Sequence, residues 1–151
     1  NFNNALHAPL IITTPGYKPA RTNALTEFVD LYPTITELCN LNVPPHTDGK
    51  SLVPILNNPA LKGKEEIYAR FYHQISVKSG DYLYTEWYVP GYLPDYAEMK
   101  DSVYAYMLYN HQTDPNENTD ISKMKENKEL VKKFKNKLVK YYYESNHTKK
   151  H

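Results

Sequence analysis

An α+β chain is predicted: one short strand with two helices, followed by a four-stranded antiparallel sheet packed on a long C-terminal helix. Three patterns point to it. Ala8–Thr14 is a short, apolar, β-branched run closed by Pro15-Gly16. Between Glu66 and Tyr109 apolar residues alternate with a period of two, and from Leu130 to Tyr142 they recur at spacings of three, four and seven.

The elements follow in order. Ala8–Thr14 reads as a buried strand, because β-branched side chains suit a pleated surface and Pro-Gly ends it as a turn. Pro19–Asn23 is a loop, and Leu25–Val29 is a short extended piece. Asp30 suits an N-cap, and Pro33 falls in a first helical turn, where its missing N–H costs little. The helix then carries Leu31, Ile35, Leu38 and Cys39 on one side, and Asn40 or Asn42 ends it before Val43-Pro44-Pro45. Ser51 caps a shorter helix through Leu56, and Asn57–Lys64 is a loop. Ile67, Ala69 and Phe71 alternate with Tyr68, Arg70 and Tyr72 in a half-buried strand. Gln74–Lys78 and Tyr82–Val89 form a hairpin about Gly80, and Val103–Tyr109 is the fourth strand. Ten of the 15 tyrosines lie between Tyr68 and Tyr109, as expected for a sheet with one wet face. Val89–Lys100, with Pro90, Gly91 and Pro94, is an exposed excursion, and Asp114-Pro115-Asn116-Glu117 is a tight turn before the last helix.

Composition narrows the function. At 151 residues the chain is long enough for a sizeable core, and no apolar run approaches the roughly 18–20 residues of a membrane span. The first residue is Asn, with no leader-like segment behind it, so a fragment or processed chain is expected. The net charge of +1 hides an asymmetry: residues 1–120 hold eight Lys and Arg against fourteen Asp and Glu, and residues 121–151 hold ten against three. The basic residues of that last segment are all Lys and interleave with the apolar stripe. Two readings stand: a helix packing its stripe on a sheet, or a noncatalytic polyanion-binding module using the lysine face from Lys123 to Lys150.

A catalytic centre is not recognisable. Cys39, the single cysteine, lies on the helix stripe without a neighbouring base and is expected to be buried packing. The six histidines show no ligand spacing, although His73 and His111 lie beside strand ends and could meet. There is no phosphate-binding glycine loop, no G-x-S-x-G and no clustered acidic run. Asn146-His147-Thr148 is formally a glycosylation sequon.

Four runs carry a resemblance. Asn1-Phe2-Asn3-Asn4-Ala5-Leu6-His7-Ala8-Pro9-Leu10-Ile11-Ile12 with Pro15-Gly16 is the first. Phe28-Val29-Asp30-Leu31-Tyr32-Pro33-Thr34 through Leu41, with Pro44-Pro45 and Gly49-Lys50-Ser51-Leu52, is the second. Asp81-Tyr82-Leu83-Tyr84-Thr85-Glu86-Trp87 and Leu108-Tyr109-Asn110-His111-Gln112-Thr113-Asp114-Pro115-Asn116-Glu117-Asn118 complete the set. In this order they resemble the C-terminal portion of the type I sulfatases, of the alkaline-phosphatase-like superfamily, and most nearly the iduronate-2-sulfatase-like enzymes. Departures are Asn110, where the family usually has Asp, and Leu83, where iduronate-type members have Arg.

The resemblance implies that residues 1–60 are the trailing part of the catalytic α/β domain and 61–151 the C-terminal subdomain. It implies sulfate-ester hydrolysis, with sulfated sugars as substrates and export or a lysosome as location. Calcium and formylglycine serve the full-length family, and neither is bound by residues of this chain. Cys39 is followed by Asn40-Leu41, not the C/S-x-P-x-R modification sequence, so no catalytic or metal residue is assigned. The expected partners are the upstream catalytic domain and a sulfated saccharide, with no nucleic acid and no membrane span. Val89–Lys100, with Trp87, Tyr88 and Tyr92 nearby, and the surroundings of His111 are places where the resemblance puts sugar specificity. Without its sheet, the first strand and helix would expose their apolar faces.

Overall fold

A computed structural model describes residues 2–89 and 102–147, with side chains described as far as Tyr142. The chain divides into two compact units, residues 9–67 and a second made of residues 1–8 with 68–151.

The second unit is the antiparallel sheet and its helix. Strands β1 (Glu66–Phe71), β2 (Gln74–Ser79), β3 (Tyr82–Tyr88) and β4 (Val103–Asn110) lie in sequence order. The β2–β3 hairpin pairs Ser79 with Tyr82 across Gly80-Asp81, and Gly80 takes φ +56°, which primed hairpin turns require. After a 3₁₀ turn at Lys125–Asn127, helix α4 (Lys128–His147) covers one face. Its Phe134, Leu138 and Tyr142, at i, i+4 and i+8, are buried among Ile75, Val77, Tyr84, Tyr88 and Leu108. Tyr68 of β1 stacks on Tyr141 with ring centroids 4.0 Å apart. The apolar stripe of the last helix is therefore core, and Lys128, Lys132, Lys133, Lys135 and Lys140 face water.

The expected wet face is not uniformly wet. On the side of β3 turned away from Tyr84 and Tyr88, Leu83 and Thr85 are buried, as is Ser76, whose hydroxyl is 2.8 Å from that of its cross-strand partner Thr85. The period of two identified the strand, but a central strand can be covered on both faces. A short helix, α1 (Asn3–Leu6), which the apolar pattern does not announce, also belongs to this unit.

The first unit is built around a 3₁₀ turn (Phe28–Asp30) running into helix α2 (Leu31–Leu38), with helix α3 (Val53–Asn57) nearby in sequence order. The expected strand at Ala8–Thr14 is absent: the segment has no regular structure, and Ile11 is 87% exposed. A strand needs a ladder partner, and none lies beside this one among the described residues. Leu25–Val29 is likewise only an isolated bridge at Leu25, to Gly63 and Lys64, followed by the 3₁₀ turn.

Helix α2 buries Pro33, Thr34 and Thr36; of the stripe expected to be core, Leu31 and Leu38 are half-buried while Ile35 and Cys39 are exposed, so Cys39 is not a buried packing residue. Phe28, Tyr32 and Ile35 share an outward face, with Phe28 80% exposed. Asn40 ends the helix at φ +56°; its N–H donates to Glu37 O and that of Leu41 to Thr36 O, the paired bonds of a left-handed cap. At the next helix the cap position is Leu52 rather than the expected Ser51, which lies one residue further out and whose Oγ accepts from Val53 N.

Candidate functional site

The sheet brings together what the sequence leaves far apart. β2 and β4 flank β3 and run the same way, so their C-terminal ends meet beside the start of β3. His111, just past β4, donates its backbone N–H to Asp81 O in the β2–β3 turn at 2.8 Å. Its Nδ1 is 2.7 Å from Lys78 Nζ, and its Nε2 is 2.8 Å from Glu117 Oε1. Lys78 can only donate, so Nδ1 accepts and the ring proton sits on Nε2, pointing at the carboxylate. Burial pushes the Lys78 ammonium below its ordinary pKa, against the opposing charges of Asp81 and Glu117.

Glu117 is positioned by the turn that precedes it. Its N–H reaches Asp114 O, and its φ of +56° turns the side chain inward, where only 5% of it is exposed. Both its oxygens accept the backbone N–H of Asn3, at 2.9 and 3.1 Å. Phe2 lies against Tyr109, with centroids 6.0 Å apart. Asp114 accepts from Thr119 N and Asn118 Nδ2, and these bonds, the Thr119 one first, hold its carboxyl below the usual range. Asp120 accepts from Leu108 N and Ser122 N. The ring nitrogens of His111 and the carboxylates of Asp114, Glu117 and Asp120 are engaged with side-chain or backbone groups of this unit, an arrangement that holds chain segments in place.

A second cluster lies in the other unit. Asp30 is fully buried at the start of α2, yet its carboxylate does not cap that helix. It accepts Glu27 N and Lys50 N, each at 2.8 Å, and pairs with Lys64 at 2.7 Å. Lys64 also pairs with Glu27. Burial opposes the Lys64 ammonium, but the bonds and charges of Asp30 and Glu27 outweigh it and raise its pKa. The group borders a cavity of about 310 Å³ lined by apolar Leu25, Leu52, Pro54 and Ile55 and by the side of Lys50.

The candidate residues named from sequence fare unequally. His111 is in the cluster at the sheet end. His73 is at the opposite end, where its carbonyl accepts Tyr88 N, so the two histidines do not meet. His73 Nδ1 is buried without a partner. Tyr88 is buried under α4, where its hydroxyl and that of Tyr84 donate to the buried Glu86, so its ring is not free to stack on a sugar. Trp87 is half-buried. Tyr92 and nearly all of the Val89–Lys100 excursion lie outside the described residues. Sequence reasoning missed Lys78, Glu117, Asp30, Lys64 and Glu86. Glu117 was visible only as the close of a turn, and Lys78 only as a neighbour of the hairpin glycine.

Among the described residues no three His, Cys, Asp or Glu side chains are grouped to hold a metal ion, and no helix is long and apolar enough to cross a membrane. The acidic groups nearest such a role, Asp30 and Glu117, are committed to backbone N–H groups and cations, so these residues do not fit a calcium site.

Comparison with known proteins converges on one family. The N-sulphoglucosamine sulphohydrolase C-terminal family matches residues 1–144. Arylsulfatase K of Gallus gallus is 25% identical over 154 residues, covering 93% of this chain and 27% of the relative. Arylsulfatase K of Xenopus laevis is 33% identical over 57 residues, 37% of this chain and 11% of the relative. The chain thus spans about a quarter or less of the length of these curated relatives.

Solved structures share the fold. A protein from a glycosaminoglycan-metabolism locus of Bacteroides thetaiotaomicron has a TM-score of 0.64 at 18% identity, covering 84% of this chain and 27% of that one. A protein solved with its substrate D-glucosamine-2-N,6-O-disulfate has a TM-score of 0.60 at 20% identity, covering 81% and 25%. A match over nearly the whole chain, with the sheet and helix described above, places it: the chain belongs to the N-sulphoglucosamine sulphohydrolase C-terminal family of sulfatases.

Proposed function

We propose that the chain is the C-terminal portion of a sulfatase that hydrolyses sulfate esters on sulfated sugars, of the iduronate-2-sulfatase-like class, and that alone it is inactive. The observation that carries the reading is the family match over residues 1–144, joined to a chain whose acidic clusters are spent on structure. Similar proteins bear the name arylsulfatase, and structural neighbours are described as a 2-O glycosaminoglycan sulfatase and as a complex with a disulfated glucosamine. Residues 1–60 then trail the catalytic α/β domain and 61–151 form the C-terminal subdomain. Calcium and formylglycine belong to the part that precedes this chain. The outward apolar face of Phe28, Tyr32 and Ile35, with exposed Ile11, supports a partner there, since isolated domains rarely leave such a face uncovered.

The test compares this chain with the polypeptide extended through the catalytic half, using a 2-O-sulfated iduronate disaccharide, a 6-O-sulfated glucosamine and an aryl sulfate. Sulfate release by the extended protein and none by this chain is expected. Hydrolysis by this chain alone, or none by the extended, formylglycine-bearing protein, overturns the reading.

One observation favours a second role: Lys128, Lys132, Lys133 and Lys135 are exposed along one helix whose apolar stripe is already buried. That face is available as a polyanion-binding surface. Heparin retention falling steeply with salt is expected, and flow-through at low salt rules it out.

A further inference from the structure

We propose that Glu117, itself held by His111 and Lys78, is the positioning residue for the polypeptide entering at Phe2–Asn3, so that the end of the antiparallel sheet sets the course of the chain reaching it from its N-terminal side. The inference rests on reading the chain as the later part of a longer enzyme. Residues 1–8 are separated in sequence from Tyr68 onward by a whole compact unit, yet they belong with the sheet. Two contacts put them there: Phe2 on Tyr109, and the Asn3 N–H shared by both oxygens of Glu117.

Glu117 and His111 are each held by more than one bond. Glu117 starts from a left-handed backbone turn fixed by Asp114, and its Oε1 takes the proton on His111 Nε2. His111 is fixed by its backbone bond to Asp81 and by Lys78 on Nδ1, which selects the tautomer that faces Glu117. Lys78 and Glu117 select the same tautomer: an ammonium can only donate to Nδ1, and a carboxylate can only accept from Nε2. Lys78 and Glu117 bond the ring itself; Asp81 and Glu117 act on Lys78, and Asp120, Glu117 and Asp114 act on the neighbouring Tyr109. Glu117, the one that touches both His111 and Asn3, links sheet to entry segment.

The test has two arms. In this chain, amide exchange by NMR should show Asn3 protected, and Glu117→Ala should speed its exchange about tenfold or more while Val77 and Leu108 amides hold. Ring nitrogen shifts of His111 should report the Nε2–H tautomer alone in the wild type, with Nδ1–H appearing only in Glu117→Ala. Glu117→Gln serves where the alanine variant does not fold, with a smaller acceleration expected. Equal Asn3 exchange with and without the Glu117 carboxylate, or a wild-type ring carrying its proton on Nδ1, overturns the clamp.

In the extended enzyme, Glu117→Ala should lower kcat about tenfold or more with KM nearly unchanged, since misplacement of reacting groups acts on the chemical step. A variant with full kcat overturns the link between clamp and catalysis. An inactive wild type refutes the sulfatase reading instead, and the clamp is then decided by exchange alone.

Discussion

Gly49 is where a single methyl group should do most damage to the first unit. The run Gly49–Leu52 lies against the turn into α2: Lys50 N donates to Asp30 Oδ1 and Leu52 N to Thr34 Oγ1, both at 2.8 Å. A Cβ on Gly49 would sit 1.9 Å from Val29 O, 2.5 Å from its carbonyl carbon and 2.9 Å from Asp30 N. These are backbone atoms, so no rotamer change relieves the overlap. Contact distances of about 3.5 Å require the run to retreat by roughly 1.5 Å, which stretches both hydrogen bonds past the bonding range. Overpacking costs about 1–3 kcal/mol and two buried bonds about 1 kcal/mol each, so Gly49→Ala should destabilise by about 3–5 kcal/mol. At roughly 2–4 °C per kcal/mol, the melting temperature should fall by about 10 °C in a thermal scan followed by circular dichroism. Gly16→Ala is the control. Gly16 has φ +88° and nothing within 4 Å of its added Cβ, so it tests backbone strain without crowding, at about 1 kcal/mol. If Gly49→Ala is no worse than Gly16→Ala, close approach does not explain this glycine.

Three further outcomes follow from the same geometry. Asp30→Asn keeps the shape but offers an NH₂ where a donor or ammonium already points, so it should destabilise by about 3 kcal/mol or more; urea unfolding measures it, and a loss below about 1 kcal/mol contradicts the assigned bonds. Leu138→Ala removes a fully buried side chain between Tyr84 and Phe134 neighbours and should cost about 2–5 kcal/mol, whereas exposed Lys135→Ala should be nearly silent. Lys78 and Lys64 should give opposite alkaline signatures. The folded Lys78 gives up its proton below 10.5, so stability gains with pH between its folded value and 10.5; Lys64 holds its proton longer, so its contribution is complete below 10.5 and is lost as pH rises through its higher folded value. Melting curves of Lys78→Met and Lys64→Met against wild type across that range should differ in slope with opposite sign.

Legibility differed by kind of element. β1 to β4 and α4 could be read because their apolar periods match faces that are covered within this chain: Phe134, Leu138 and Tyr142 meet Ile75, Val77 and Tyr84. Ala8–Thr14 and the Ile35 side of α2 carry the same kind of pattern but are left largely exposed by the described residues, so the strand does not form and the helix turns Thr34 and Thr36 inward. Periodicity reports that a face is apolar, not what covers it. Lys78, His111 and Glu117 could not be grouped from sequence because their meeting depends on β2 and β4 flanking β3 in register, which no local pattern encodes.

Asp30, Thr34, Glu117 and Asp120 share one physical task. Asp30 accepts Lys50 N, Thr34 accepts Leu52 N, Glu117 accepts Asn3 N and Asp120 accepts Leu108 N. Each is a side-chain oxygen satisfying a backbone donor from another part of the chain, outside the helix bonds and strand ladders that would otherwise take it. Such a donor, buried and unpaired, costs about 1–3 kcal/mol, and an apolar side chain of any size leaves it unpaired. A core position such as Leu138 can exchange one hydrocarbon for another at lower cost. Positions that must supply an acceptor at one place cannot, so they tolerate substitution less than a hydrocarbon core position does.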